Sequence, residues 1–157
     1  MTAKRCLMLA ALAGFLAVAL GAFGAHFLKD SGYLVKRHAA EPEKDSAGFR
    51  MPASHKYLLD FQTGVEYHMW HALALGLTGL LLRGQKSRWL RVAAWSFLTG
   101  ILFFSGSLYI LVIGGPRFGG VPWGAIVPIG GTAFLIGWIC LAGGAVCISD
   151  KTQSADC

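Results

Sequence analysis

Lysine, arginine, aspartate and glutamate are absent from four long stretches of this sequence, residues 6–28, 67–82, 92–116 and 118–149. No other feature limits the fold as much. A helix crosses the hydrocarbon core of a bilayer with about 20 apolar residues, and a charge near its centre is costly. Three of the stretches reach that length outright, and the second does so only by taking in Glu66 and the turn before it. The expectation is an all-α integral membrane protein, a four-helix bundle with spans at about 6–28, 63–82, 93–114 and 127–148 and a long first connector, 29–60. Four spans leave little else, so residues 1–157 read as one membrane domain.

Only 14% of the residues are charged, against about a quarter in soluble domains, which is the composition that four uncharged runs require. The formal net charge of +6 invites a nucleic-acid reading. Its placement argues against one, because the Lys and Arg lie in loops and flanks, without aromatics between them on one helix face. Cys6, Cys140, Cys147 and Cys157 form no C-x-x-C pair and no Cys/His ligand spacing. Cys140 and Cys147, seven apart, share a helix face and read as small apolar residues in a packed helix.

Lys4 and Arg5 before the first run also fit a signal peptide, with Ala22-Phe23-Gly24 as the cleavage site. Twenty-three uncharged residues exceed the usual signal core of about 7–15, which favours a retained helix. Ala13, Ala17, Gly21 and Ala25 recur every four residues and predict a flat stripe where another helix approaches closely. The connector holds six basic and five acidic residues, so it is wet. Ser54 is the expected N-cap of a short amphipathic interfacial helix with Tyr57, Leu58, Phe61 and Val65 on its apolar face. Gly114-Gly115-Pro116, Gly119-Gly120 and Pro122 predict a compact turn between the third and fourth spans, with Pro128 in the first turn of the fourth. The two sides of the membrane carry seven Lys/Arg each. The short, dense 83–91 loop breaks the tie and predicts cytoplasmic termini.

Depth is more telling. His26 closes the first span; Gln62, Glu66, Tyr67, His68 and His71 open the second; Ser105, Ser107 and Tyr109 lie late in the third. Because the chain reverses at each loop, these polar groups share one half of the membrane, with Thr132 of the fourth span. Polar residues inside spans face the bundle and mark function by default. Gln62/Glu66, Tyr67/His71 and Ser105/Tyr109 are four apart, so each pair shares a face. His26 is a candidate partner for Glu66. The bland alternatives are interfacial positions for Gln62 and Glu66, and for His71 an interhelical hydrogen bond to Ser105, Ser107 or Tyr109. A metal site from His68, His71, Glu66 and His26 rests on H-x-x-H spacing alone, a weak signal, and haem between two of the histidines has less support still. Gly130-Gly131 lacks the Lys-Ser/Thr of a phosphate loop and reads as close helix packing.

The strings Gly21-Ala22-Phe23-Gly24-Ala25-His26, Phe61 to Leu73, Phe104-Ser105-Gly106-Ser107-Leu108-Tyr109 and Pro128-Ile129-Gly130-Gly131 resemble the membrane-protein family catalogued as domain of unknown function 423. The resemblance runs through all four spans. It implies a four-helix topology and a plasma or bacterial inner membrane location, and it assigns no activity. His26, Tyr67, His71, Ser105, Ser107 and Tyr109 fall on the family's motif positions. His68 stands where the family often has Gln, and the connector around Arg37–Arg50 is longer than usual.

No complete catalytic set is visible. The leading expectation is therefore a non-enzymatic structural or accessory membrane protein without cofactor or metal. Its partners would be the bilayer and, through its packing faces, another membrane protein or a second copy. The alternatives are a small transporter or proton-coupled channel using Glu66 and His71, and a metal- or haem-binding membrane protein. The nearly all-aliphatic opposite half of the membrane argues against a polar path.

Overall fold

The computed structural model describes residues 1–153, with side-chain surroundings for residues 1–146; the expected pairing of Cys140 and Cys147 on one face, and Cys157, lie outside the described residues. Apart from one short hairpin and the connecting turns the described chain is helical. The elements are α1 (Ala3–Phe23) running into a π-helical turn (Gly24–Leu28), α2 (Tyr33–Arg37), β1 (Lys44–Ser46), β2 (Phe49–Met51) and α3 (Ala53–Gly84). Then come α4 (Arg88–Gly100), a second π turn (Ile101–Ser105), α5 (Gly106–Gly114), a 3₁₀ turn (Phe118–Gly120) and α6 (Trp123–Gln153).

Among the described residues three helical segments are long and apolar enough to cross a membrane: Ala3–Leu28, Arg88–Gly114 and Trp123–Val146. α3 falls outside that set despite its 32 residues, because Glu66, His68 and His71 interrupt its apolar run. The long helices pack mainly as two pairs, α1 along α3 and α4 along α6, joined through α3 against α4 and α5.

The connector differs from expectation. It ends at Pro52, which holds the N-cap position of α3; its carbonyl accepts from His55 and Lys56, and Ser54 lies inside the helix. Residues 53–60 are the opening turns of α3 and not a separate interfacial helix. Their predicted apolar face is used, with Tyr57 and Phe61 fully buried and Leu58 and Val65 packed against the same cluster. Upstream lies a hairpin that sequence periodicity does not reveal, Lys44 opposite Met51 and Ser46 opposite Phe49. Its two-residue turn puts Ala47 (φ 52°) and Gly48 (φ 83°) in the left-handed region, as a primed turn requires. Ala47 hides the signal, because Asn or Gly is the usual marker there. Pro128 sits six residues into α6, beyond its first turn.

Along the small-residue stripe of α1, Ala13 and Ala17 are buried, Gly21 is half-buried and Ala25 is exposed. Steps of four residues turn about 400° on a 3.6-residue helix, so three steps drift about 120° off the face. The buried face instead runs through Cys6, Ala10, Ala13, Ala17, Gly24 and Leu28, in steps of three, four or seven. Between α4 and α6 a longer ladder forms. Gly130 abuts the Phe103–Phe104 backbone, Gly137 the Phe97 ring and Gly144 the Leu90 side chain. These pairs step by seven residues in opposite directions along two antiparallel helices. Gly131, by contrast, has only ordinary contact with Phe104 at 3.8 Å.

Candidate functional site

The polar residues of α3 divide by the face they occupy. Gly64, His68 and His71 point inward and are buried, whereas Gln62 and Glu66 are exposed on the outer face, as is His26 in the first π turn. Among the described residues no ion pair or hydrogen bond joins Glu66 to His26, and no group of three His, Cys, Asp or Glu is gathered as a metal would need.

His71 is 5% exposed and sits among aromatic rings. Its Nδ1–H donates to the Tyr67 carbonyl one turn back at 2.7 Å, and Nε2 accepts the indole N–H of Trp138 at 3.2 Å. One nitrogen faces an acceptor and the other a donor, so the partners define the neutral Nδ1–H tautomer. The ring lies flat on Phe134, with centroids 3.4 Å apart and planes 11° apart, while Phe97 and Trp138 flank it. The expected bond from His71 to Ser105, Ser107 or Tyr109 does not form. The α6 partner was missed because an indole in an apolar run carries no polar signal in a sequence.

His68 takes the Tyr109 contact instead, Nδ1 to the hydroxyl at 3.2 Å. Gly64 makes this approach possible, since a Cβ there would stand 3.0 Å from the Tyr109 ring. Tyr67 is half-buried and stacks on Phe104. Ser107 turns its hydroxyl back to the carbonyls of Phe103 and Phe104, its own preceding turn. Ser105, fully buried in the second π turn, is the one buried side-chain hydroxyl without a hydrogen-bond partner among the described residues.

A second constellation, absent from the expected residues, closes the connector side. The last carbonyls of α5 have no partners within the helix. The connector supplies most of them: Val112 accepts from His38 Nε2 at 3.3 Å, Ile113 from the Tyr33 hydroxyl at 3.2 Å and Gly114 from Arg37 Nη2 at 2.7 Å. The Gly115 N–H takes Leu111. His38, 4% exposed, also pairs through Nδ1 with Glu41 at 2.7 Å, so both ring nitrogens face acceptors. Glu41 further accepts from the Tyr57 hydroxyl at 2.9 Å, and Lys44 contacts both. Tyr33, Arg37 and Glu41 are spaced by four, a helical periodicity that could have flagged this face; the α5 carbonyls that Tyr33, Arg37 and His38 reach lie more than 70 residues away.

Burial pushes the Glu41 carboxyl up, but hydrogen bonds from His38, Lys44 and Tyr57 outweigh it and hold the group at about 2, against an ordinary 4.5. A depressed carboxyl contributes stability above its unfolded value and loses it as pH falls through its folded one. The connector is therefore expected to loosen as pH falls from 4.5 toward about 2. Amide exchange over residues 33–51, expressed relative to each amide's intrinsic rate at the same pH, should rise as pH falls through that window. Glu41→Gln should make it high and flat; an unchanged pH profile in that variant would refute the assignment.

The sequence matches the family described as "Protein of unknown function (DUF423)" over residues 20–131. It is 39% identical to the UPF0382 membrane protein YwdK of Bacillus subtilis, covering 91% of this chain and 97% of that protein. It is 42% identical to a UPF0382 membrane protein of Haemophilus influenzae, over 90% and 94%. The UPF0382 inner membrane protein YgdD of Escherichia coli K12 is 32% identical, over 98% of each chain. No solved structure matches.

Proposed function

Because this chain belongs to the DUF423 family of membrane proteins of unknown function, we propose that it is a four-span, non-enzymatic accessory protein of the bacterial inner membrane, folded as one domain with both termini in the cytoplasm. On this reading α3 is the second span. Its Glu66 then lies about three residues, or 5 Å, inside the hydrocarbon boundary. The observation that carries the proposal is the division of α3: the inward histidines have partners within the bundle, while Gln62 and Glu66 are exposed outward. A carboxylate facing lipid is costly, and cover from another membrane protein or a second copy relieves it.

A photo-crosslinking residue at position 62, in native membranes, tests this against the same probe at Leu77, an exposed residue farther along α3. Protein adducts from 62 and only lipid adducts from 77 are expected. Lipid adducts alone from both would sink the accessory reading. The transporter alternative makes a separate prediction, proton flux in proteoliposomes that Glu66→Gln abolishes; the present reading expects flux at the empty-vesicle level.

A further inference from the structure

Two cavities adjoin at the C-terminal end of α5 and share Arg37, Gly114 and Phe118. The first, about 430 Å³, is mixed in character and carries the charged side chains, completed by His38, Glu41 and Arg117. The other, about 320 Å³, is apolar and descends along α5 past Ile113 and Ile110 to Tyr109. At 1.5 Å per residue that descent is about 8 Å along the helix axis. From this charged chamber over an apolar groove we infer that the site binds one anionic phospholipid, its phosphate between Arg37 and Arg117 and an acyl chain along Ile113 and Ile110.

The charges favour an anion. Arg37 directs one N–H to Gly114, which holds the guanidinium in place, and a guanidinium has five N–H donors. Arg117 is exposed on the facing turn. His38 lines the same chamber, its Nδ1 held by Glu41. The opposing acid, Glu41, already accepts from His38, Tyr57 and Lys44, and the α5 carbonyls that would repel a phosphate are occupied by the connector. The apolar chamber separates a lipid from a free phosphate, because inorganic phosphate has no use for Ile110 or Ile113. The inference needs only that the end of α5 lies at a membrane surface, so it stands apart from the accessory role of Glu66.

Native mass spectrometry of the full-length protein in detergent, titrated with phosphatidylglycerol, phosphatidylcholine or inorganic phosphate, tests it. Preference for phosphatidylglycerol is expected to fall roughly fivefold in Arg117→Gln and roughly 25-fold when Arg37→Gln is added, with phosphatidylcholine binding unchanged, since a surface cation contributes about 1 kcal/mol toward an anionic lipid. Arg117 makes no contact to the bundle among the described hydrogen bonds and ion pairs, so its variant separates binding from folding. Equal binding of the two lipids to wild type, or a preference that survives in Arg117→Gln, overturns the inference. So does inorganic phosphate that displaces the lipid completely at millimolar concentration, which would make this a phosphate site only.

Discussion

Alanine at Gly130 is expected to destabilise the protein by about 3 kcal/mol, the upper end for overpacking a well-filled core. The reason is what the new methyl group meets. At Gly130 the nearest atoms belong to the backbone of Phe103 and Phe104, two of them 2.7 Å away, and backbone cannot rotate aside. At Gly137 the obstruction is the Phe97 ring at 2.6 Å, a side chain that can shift at smaller cost. At Gly131 the contact is ordinary, so alanine there should stay within about 0.5 kcal/mol. Thermal unfolding in one detergent should rank the three variants Gly130→Ala, Gly137→Ala, Gly131→Ala from most to least damaging. Equal losses at 130 and 131 would mean that α6 does not approach α4 and its π turn as described.

His71→Ala is expected to cost about as much, roughly 3 kcal/mol, through the cavity left by a buried ring. Magnitudes separate this from its hydrogen bonds, because a side-chain bond between membrane helices contributes only about 0.6 kcal/mol on average. Trp138→Phe, which keeps a ring and removes the indole N–H, should therefore cost well under 1 kcal/mol. His71→Phe should fall between: the stack on Phe134 can persist, but the indole N–H of Trp138, a side chain 46% exposed, loses its acceptor, at about 1 kcal/mol. Should Trp138→Phe match His71→Ala, the hydrogen bond and not the packing would be the main support of this core. If neither variant lowered stability, the histidine would owe its place to something other than the bundle.

Several features were legible along the chain because their physics is local. Apolar length marked the helices, and the 114–122 cluster of Gly and Pro marked the turn between α5 and α6. The depth of each polar residue in its run grouped nine candidates, His68 and His71 among them. Which of them faced inward was harder. Glu66 and His68 are two apart and so stand on different faces, one exposed and one buried, yet a sequence cannot say which face meets the bundle. α3 shows the same limit: its mixed composition marks a helix with polar demands and leaves its relation to the bilayer open.

Helix formation, the Gly/Pro turn at 114–122 and the set of candidate polar groups follow from residue type and spacing, since 3.6-residue geometry and apolar length act within a few turns. Pairing across the molecule does not. The Gly130–Gly137–Gly144 ladder has meaning only opposite Phe104, Phe97 and Leu90, and the His71 site only once α6 brings Phe134 and Trp138 against α3. Likewise Tyr33, Arg37 and His38 are ordinary connector residues until the fold carries the unsatisfied end of α5 to them. Each such contact joins groups far apart in the chain, and only packing, by selecting one register and one facing for every helix, decides which of them meet.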